Sequence, residues 1–582
     1  MTQLLDFQEK TVLQMKTFEE LYDGGMLFNS PGLGKTLCCL KIIDSVTLII
    51  CPAGLVDNWI NEIKQHTDIN DSQISKYTGP KRSVELNKRI YITSFNIIGG
   101  EWNKDSKDSK DSKDTNDKDK FIKNSLFNES FFERVILDEA HFIRNSKNIA
   151  TRAIFDFSSR LCLNVKRWIV TATPIFNSSK DTFSYFRFLN LEGVENKSTF
   201  NREYSRSITG MKRLNNLIKK YSIQYKKEIV LPNLSKKTEH LIYLEFTPEE
   251  RTFYDALIDY SRQRMASIIQ KMSKLELDSD FTELKKVMHN NVMLYILRLK
   301  QACDSPMLVL KSMKRLKNVK SFAEASELLK PFVDTDSDCP ICYDQEADYA
   351  ANPCGHRCCK TCWDRMFNSH LFKCPKCRSV VDLIKPLSSE SNVNQINQMN
   401  QMNQMSQTQS AKIEKLIEIT KEIINRGEKI VIVSQWVSML DLIRNAFQKE
   451  DTLKEISSIN LQGNVPMKTR TEYIQQFQTE SQVKICFLSL MSSAEGINLI
   501  AANHIVVVDQ WWNNAKILQA CDRIHRIGQM RDVNVYKLYI NSTIEEKILK
   551  RLQTKSIINE LLLEKWQDSN EMDLPANISL FE

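Results

Sequence analysis

Two groups of residues in this chain have types and spacings that could do chemistry. The first begins with Gly32-Leu33-Gly34-Lys35-Thr36, after the apolar patch Met26–Phe28 and before the helical run Leu37–Ile43. Strand, glycine turn and helix is the context of a phosphate-binding loop. Its glycines let backbone N–H groups approach phosphate oxygens, and the positive end of the following helix favours an anion. Lys35 would neutralise the β and γ phosphates of ATP, with Gly32 and Gly34 in the cradle and the Thr36 hydroxyl on Mg2+. The strict pattern asks for glycine where Asn29 stands, and the competing reading is a glycine turn before a surface helix. Downstream, Asp138-Glu139-Ala140-His141 ends the apolar run Val135-Ile136-Leu137. Acidic residues at the C-terminal end of a parallel strand sit at the ligand crevice. Asp138 could hold Mg2+ through water, and Glu139 could orient or deprotonate the attacking water. Near the other end, Arg523 and Arg526 lie three apart, on one helical face. Arginine suits a transferring phosphoryl group and can be delivered from a facing lobe; the alternative is a basic surface helix.

The second group is Cys339-x2-Cys342-x11-Cys354-x-His356-x2-Cys359-x2-Cys362-x11-Cys374-x2-Cys377. Seven thiolates and one imidazole supply the eight soft ligands that two Zn2+ ions need. The other eight of the 15 cysteines, Cys358 among them, are scattered, mostly in apolar context. That pattern reads as one metal module plus buried thiols in a reducing compartment, not as a disulfide framework.

These residues need elements to hold them. At 582 residues the chain has room for roughly four domain-sized units. Its 42% hydrophobic and 26% charged residues suit globular cores. With only 15 Gly and 14 Pro it is neither collagen-like nor elastic. No apolar run is long enough for a membrane span. Met1 to Lys10 is polar and mixed in charge, unlike a signal or transit peptide, so the chain is expected to be intracellular. The net charge of +8 is too mild to decide partners. Val46–Cys51, Ile90–Thr93, Val135–Leu137 and Trp168–Thr171 read as buried strands, and so do Ile430–Ser434, Ile485–Ser489 and Ile505–Val508. Separated by long amphipathic stretches, they predict an α/β protein with two parallel sheets around a Cys-rich insert. Lys104–Lys120 is a Lys-Asp-Ser run read as a disordered loop, and Asn392–Ser410 an Asn/Gln/Met-rich linker. Residues 245–330 read as helical. The expected units are 1–235, a first lobe with the insert at about 103–120; 236–330, a helical connection; 335–382, the zinc module; 383–410, the linker; 411–560, a second lobe; and 561–582, a tail.

Taken in order, the motifs resemble superfamily-two helicases, specifically the Swi/Snf-type DNA-dependent ATPases. Leu5-Asp6-Phe7-Gln8 resembles the adenine-reading motif, which implies Phe7 and Gln8 in nucleotide binding. Gly24 through Thr36 is similar to motif I, and Cys51-Pro52-Ala53 with Asn58, Trp59 and Glu62 to motif Ia. Thr93-Ser94-Phe95 resembles motif Ib, Arg134 through Asn145 motif II, and Thr171 through Asn177 motif III. Arg298 through Pro306 is similar to the helix before the second lobe. Val433-Ser434-Gln435-Trp436 resembles motif IV, Ser489–Leu499 motif V and Asp509–Gln529 motif VI. Three departures stand out: Asn29-Ser30-Pro31 for the usual Asp-Glu-Met, Ala172 for glycine, and Ser493-Ala494-Glu495 in motif V. They put rate and coupling in question more than hydrolysis. The resemblance implies two RecA-like lobes that close on ATP, with Lys35 and Thr36 on one side and Arg523 and Arg526 on the other.

The cysteine spacing resembles a RING finger. In that arrangement Cys339, Cys342, Cys359 and Cys362 hold one ion, and Cys354, His356, Cys374 and Cys377 the other. RING modules recruit ubiquitin-conjugating enzymes. The resemblance implies that Ile341, Trp363 and Pro375 line the docking groove and that Arg378 is the linchpin; the alternative is a purely structural zinc module with Ile341 and Trp363 as core. A RING between two ATPase lobes is similar to the helicase-like-transcription-factor and postreplication-repair branch. That branch often carries an N-terminal DNA-binding module; with Gln8 so near Met1, none is expected in this sequence.

Arg202, Arg206, Lys212, Arg213, Lys219, Lys220, Lys226 and Lys227 crowd one stretch with Tyr204, Tyr221 and Tyr225 interleaved. Such groups grip a phosphate backbone without reading sequence; taken singly, each is as readily a solvated lysine or arginine. By family analogy Thr93, Gln435, Ser489 and Trp511 lie nearer the DNA track. The expected activity is an ATP-dependent translocase on double-stranded DNA with a RING that recruits a ubiquitin-conjugating enzyme, located in the nucleus or in a viral factory. The alternatives are a strand-separating DNA or RNA helicase, or a ubiquitin ligase or scaffold with a weakened motor.

Overall fold

The computed structural model describes residues 3–79, 82–102, 126, 131–162, 164–172, 179–191, 194, 196–205, 207–232, 234–273, 294–311, 339–342, 347–368, 373–381, 383–386, 410–463, 465–490, 497–511, 514–550 and 552–553. The Lys-Asp-Ser run, the Asn/Gln-rich linker before Ser410, the tail 561–582, most of motif III, Ser493-Ala494-Glu495 and Arg206 lie outside those residues.

The first lobe is a parallel sheet of β1 (Gly24–Leu27), β2 (Thr47–Cys51), β3 (Ile74–Lys76), β4 (Ile90–Ser94), β5 (Arg134–Asp138), β6 (Lys166–Val170) and β7 (Ser222–Ile223), in the order β3-β4-β2-β5-β6-β1-β7. The four expected strands are β2, β4, β5 and β6, all paired in parallel. Their runs are mainly apolar because both faces are covered. Leu48 and Ile50 enter one apolar layer, and Ile49 and Cys51 the other. The N-terminal helix Asp6–Tyr22 is tied to this sheet by a buried charge. Glu19 accepts two bonds from Arg134, both 2.7 Å, and one of 2.8 Å from Trp168 Nε1.

The second lobe is also parallel throughout. It comprises β8 (Lys237–Leu244), β12 (Ile430–Ser434), β13 (Ser457–Leu461), β14 (Val483–Ser489), β15 (His504–Val507) and β16 (Val533–Ile540), ordered β13-β14-β12-β15-β16-β8. The stretch expected to be a helical connection thus opens with a strand. Lys237–Leu244 pairs along its whole length with Val533–Ile540 and forms the sheet's edge. Its alternating, half-buried pattern gives a weaker signal than an unbroken apolar run. Residues farther along also pack on this lobe: Phe253, Tyr254, Leu257 and Val309 share an apolar cluster with Ile540.

The zinc module leaves and re-enters this lobe at one place. Lys412 Nζ lies 2.8 Å from Asp304 Oδ1 and 2.6 Å from Glu545 Oε1, with all three side chains buried. Two ends held side by side accept a long insertion at little cost in loop closure. The module has a small antiparallel sheet of β9 (Tyr349–Asn352), β10 (Arg357–Cys358) and β11 (Leu383–Pro386), ordered β10-β9-β11, and a helix Lys360–Asn368. The helix abuts the second lobe: a Cβ on Gly463 would sit 2.6 Å from Arg365 Nη2. Among the described residues no helix is long and apolar enough to cross a membrane.

Candidate nucleotide and zinc sites

The phosphate loop sits between β1 and the helix Lys35–Leu40. Gly32 and Gly34 both have positive φ, 79° and 73°. Gly34's positive φ favours glycine, and a Cβ there would lie 2.5 Å from Gln8 Nε2 and displace that side chain. Gln8 Nε2 also donates to Leu33 O at 3.3 Å, which brings the expected nucleotide-reading residue onto the loop. Phe7 is buried beside Tyr225, with ring centroids 6.5 Å apart.

Asn29 is fully buried. Its Nδ2 donates to Thr11 Oγ1 at 3.4 Å, and its Oδ1 accepts from Tyr225 N at 2.9 Å. The departure from the family pattern is therefore a brace, and the loop keeps its shape. Lys35 Nζ donates to Asn29 O at 2.9 Å and Ser30 O at 3.2 Å. Burial pulls the Lys35 ammonium below its usual range, against the pull of Glu139, Asp138 and Asp522.

The acidic pair ends β5. Asp138 Oδ2 accepts from Trp59 Nε1 at 2.8 Å, and Oδ1 accepts from Glu139 N at 2.9 Å. Burial and the neighbouring Glu139 push Asp138 upward. Glu139 holds φ 49°, a left-handed backbone uncommon outside glycine. Its Oε2 lies 3.0 Å from His141 Nδ1. Burial raises Glu139, but His141, then Lys35 and Arg523, more than offset it and hold the carboxyl below its ordinary value.

Motif VI crosses from the second lobe to this loop. A Cβ on Gly32 would lie 3.6 Å from Arg526 Cγ and 3.7 Å from Lys227 Nζ. Burial and the adjacent Arg526 lower Arg523 to about 10. Lys35, Asp138, Glu139, Arg523 and Arg526 thus converge, although some 490 residues separate the first from the last.

In the zinc module, the ligand atoms of Cys339, Cys342, Cys359 and Cys362 form one group and those of Cys354, His356, Cys374 and Cys377 another, all within 4.8 Å of one another in each. Cys342 Sγ and Cys359 Sγ are 3.8 Å apart, the separation that two thiolates about 2.3 Å from one tetrahedral zinc require. The donor sets fit two Zn2+ ions in the interleaved arrangement.

An SNF2-related domain model matches residues 7–308, just over half of the chain. The chain belongs to the SNF2-related family. A helicase conserved C-terminal domain matches residues 411–528, and a C3HC4-type RING zinc finger residues 335–384. Among relatives, DNA repair protein RAD5A of Arabidopsis thaliana is 28% identical over 86% of this chain and 49% of its own length. The helicase-like transcription factor of Mus musculus is 29% identical over 88% and 50%. DNA repair protein RAD5B of Arabidopsis thaliana is 26% identical over 93% and 45%. The chain spans about half the length of the curated relatives it matches. A solved Sulfolobus solfataricus SWI2/SNF2 ATPase core in complex with dsDNA is 22% identical, covering 96% of this chain and 93% of that one, with a TM-score of 0.36.

Within this SNF2-related chain the remaining expected residues separate. Thr93 is fully buried, its hydroxyl donating to Tyr77 O at 2.9 Å, and Ser489 is buried at the end of β14. Gln435 and Trp511 meet around Lys300, whose Nζ is 3.4 Å from Gln435 Oε1 and 5.4 Å from the Trp511 ring centroid. On the RING, Ile341, Pro375 and Arg378 are exposed. Trp363 is fully buried, donates to Tyr349 O at 3.2 Å and stacks on Phe367, so it is core and not a groove wall. Lys212, Arg213, Lys219, Lys220 and Lys226 are exposed, but Lys227 leaves that basic face and is buried. Its Nζ lies 2.8 Å from Asp522 Oδ1 and 2.9 Å from His525 O. The sequence reading gave no role to Trp59 and His141 beyond membership of motifs Ia and II; both motifs were the available signal.

Proposed function

We propose that this chain is an ATP-driven motor that moves along double-stranded DNA, with a RING module that recruits a ubiquitin-conjugating enzyme. The observation that carries the motor reading is the approach of Arg526 and Arg523 from the second lobe to the loop and acidic pair of the first. Lys35 and the loop backbone bind the β and γ phosphates of ATP. His141 keeps Glu139 ionised, and Glu139 orients and deprotonates the attacking water. Trp59 and the Glu139 amide fix the Asp138 carboxylate at the end of β5; with the Thr36 hydroxyl of the loop it would supply oxygen donors for Mg2+, which when bound would neutralise phosphate charge. Arg523 and Arg526 stabilise the charge on the transferring phosphoryl group only while the lobes are closed, so hydrolysis is tied to lobe movement.

Duplex DNA as substrate is supported by the family, by relatives named as DNA repair proteins, and by the exposed cations of 212–226. A nuclear location, or a viral factory, accords with that substrate. The test is ATPase activity of the purified chain with Mg2+ and duplex DNA, single-stranded DNA or RNA. Stimulation chiefly by duplex is expected; stimulation by RNA alone, or none by any, overturns the reading. The RING reading rests on two formed zinc clusters with Ile341, Pro375 and Arg378 exposed beside them. It is tested by ubiquitin-chain synthesis with a panel of conjugating enzymes.

A further inference from the structure

Among the described residues of its basic stretch, Lys227 is the one cation that the fold draws inward. Its segment runs beside the strand that leads into the phosphate loop. Ser222 and Ile223 pair with Met26 and Leu27. Beyond them Phe28 N donates to Ile223 O at 2.8 Å, Ser30 N to Tyr225 O at 3.0 Å, and Lys227 N to Ser30 Oγ at 3.3 Å. The backbone of Lys227 is therefore fixed to the first lobe. Its side chain belongs to the other lobe: only 5% exposed, it meets Asp522 Oδ1 at 2.8 Å and His525 O at 2.9 Å. Asp522 and His525 lie in the same turn as Arg523 and Arg526, and a Cβ on Gly32 would lie within 4 Å of both Lys227 Nζ and Arg526.

The position of Asp522 is the chemical problem. A carboxylate beside two arginines and the loop lysine is a competitor for the phosphates those cations must hold. An ammonium that holds this carboxylate elsewhere removes the competition. We infer that Lys227 is a positioning residue for ATP hydrolysis, anchored on the phosphate loop's own strand, which ties Asp522 away from Arg523, Arg526 and Lys35 and so presents the arginines to the transferring phosphoryl group. It acts through the motif VI turn and does not itself take part in the chemistry. The inference rests on the ATP-hydrolysing reading above.

The experiment measures duplex-stimulated ATPase kinetics of the full chain. Wild type is compared with Lys227→Met, Lys227→Gln, Lys227→Arg, Asp522→Asn and the double variant Lys227→Met/Asp522→Asn. Misplacing a reacting group by about 1 Å can cost on the order of 100-fold. Lys227→Met and Lys227→Gln are therefore expected to lower kcat about 10- to 100-fold with little change in the KM for ATP. Lys227→Arg, which keeps the charge, is expected to recover most of the loss. The deciding arm is the double variant. If Lys227 restrains Asp522, removing the carboxylate's charge restores much of kcat. If Lys227 merely ties two lobes together, the double variant is no faster than Lys227→Met, and the inference falls. It falls equally if Lys227→Gln, which can still bond to His525 O, turns over at the wild-type rate. Thermal melting accompanies each variant, and should Lys227→Met unfold, Lys227→Gln, alone and with Asp522→Asn, decides by the same criteria. Absence of ATPase in wild type would overturn the motor reading itself, whereas an active wild type, an inactive Glu139→Gln and a fully active Lys227→Gln would overturn this inference alone.

Discussion

Under the proposed mechanism Glu139 and Lys35 act at the same phosphates but should fail differently when altered. In the proposed mechanism the proton taken from the attacking water goes to Glu139, which His141 and nearby cations keep ionised. Glu139→Gln is expected to leave ATP binding intact and to cut turnover by about 100-fold or more, the scale of a lost general base. Lys35→Ala removes charge at the phosphates and should weaken binding as well. Equilibrium binding of a fluorescent ATP analogue beside single-turnover hydrolysis separates the two. A Glu139→Gln enzyme with wild-type turnover would mean the site is misassigned. On the RING, Ile341 sits between two ligands without being one, and is exposed. Ile341→Ala should cost about 1–2 kcal/mol of conjugating-enzyme binding with zinc content unchanged. Cys342→Ser should release zinc and unfold the module, since so small a piece has little core without metal. Zinc analysis and ubiquitin-chain synthesis on the same samples distinguish the two.

At the scale of elements, the helix Asp6–Tyr22 shows how a distant anchor can set a binding residue. Gln8 touches the loop from one end of the helix, while Glu19 fastens the other to β5 and β6 through Arg134 and Trp168. Arg134 is only 3% exposed. Glu19→Gln leaves it short of its main partner, with Asp44 remaining. Removing one partner of a buried pair typically costs about 3–5 kcal/mol. We expect Glu19→Gln to lower the denaturant midpoint by a corresponding amount, and to raise the KM for ATP because Gln8 loses its register. A KM unchanged in a folded but less stable variant would show that the loop holds Gln8 without the helix anchor.

The whole molecule depends on ties between segments far apart in the chain. Lys412 joins Asp304, before the RING, to Glu545, near the end of the second lobe, and also donates to Val508 O at 2.9 Å. Lys412→Met would leave two buried carboxylates facing one another, so the second lobe should lose about 3–5 kcal/mol. Urea unfolding followed by tryptophan fluorescence would register it through Trp436, whose indole donates to Asp304 at 3.0 Å. The exposed cations of 212–226 predict a second whole-molecule property. DNA affinity should fall steeply with salt and vary little with sequence, because phosphate contacts release counterions and read no bases. Binding titrations on two unrelated duplexes across a salt series test both halves, and strong preference for one duplex at fixed salt would contradict a sequence-blind motor.

The sequence by itself determined what is local or periodic. Short, mostly apolar runs marked β2, β4, β5, β6, β12, β14 and β15 because the middle of a strand covered on both faces is built chiefly from apolar residues. The zinc ligands were legible because coordination sets both residue type and spacing, and Lys35, Asp138, Glu139, Arg523 and Arg526 stood out as candidates because their motifs are short and contiguous. The tertiary structure decided what depends on packing between distant segments. Lys237–Leu244 is a strand only because Val533–Ile540 offers it an edge. Trp363 is core and Ile341 surface although both lie beside zinc ligands, and local spacing carries no information about which side of a small fold a residue faces. Lys226 and Lys227 are adjacent and identical in type, yet one is exposed and the other is buried against Asp522, 295 residues away. Charge and composition are properties of the chain, whereas which cation finds a carboxylate is a property of how two lobes meet.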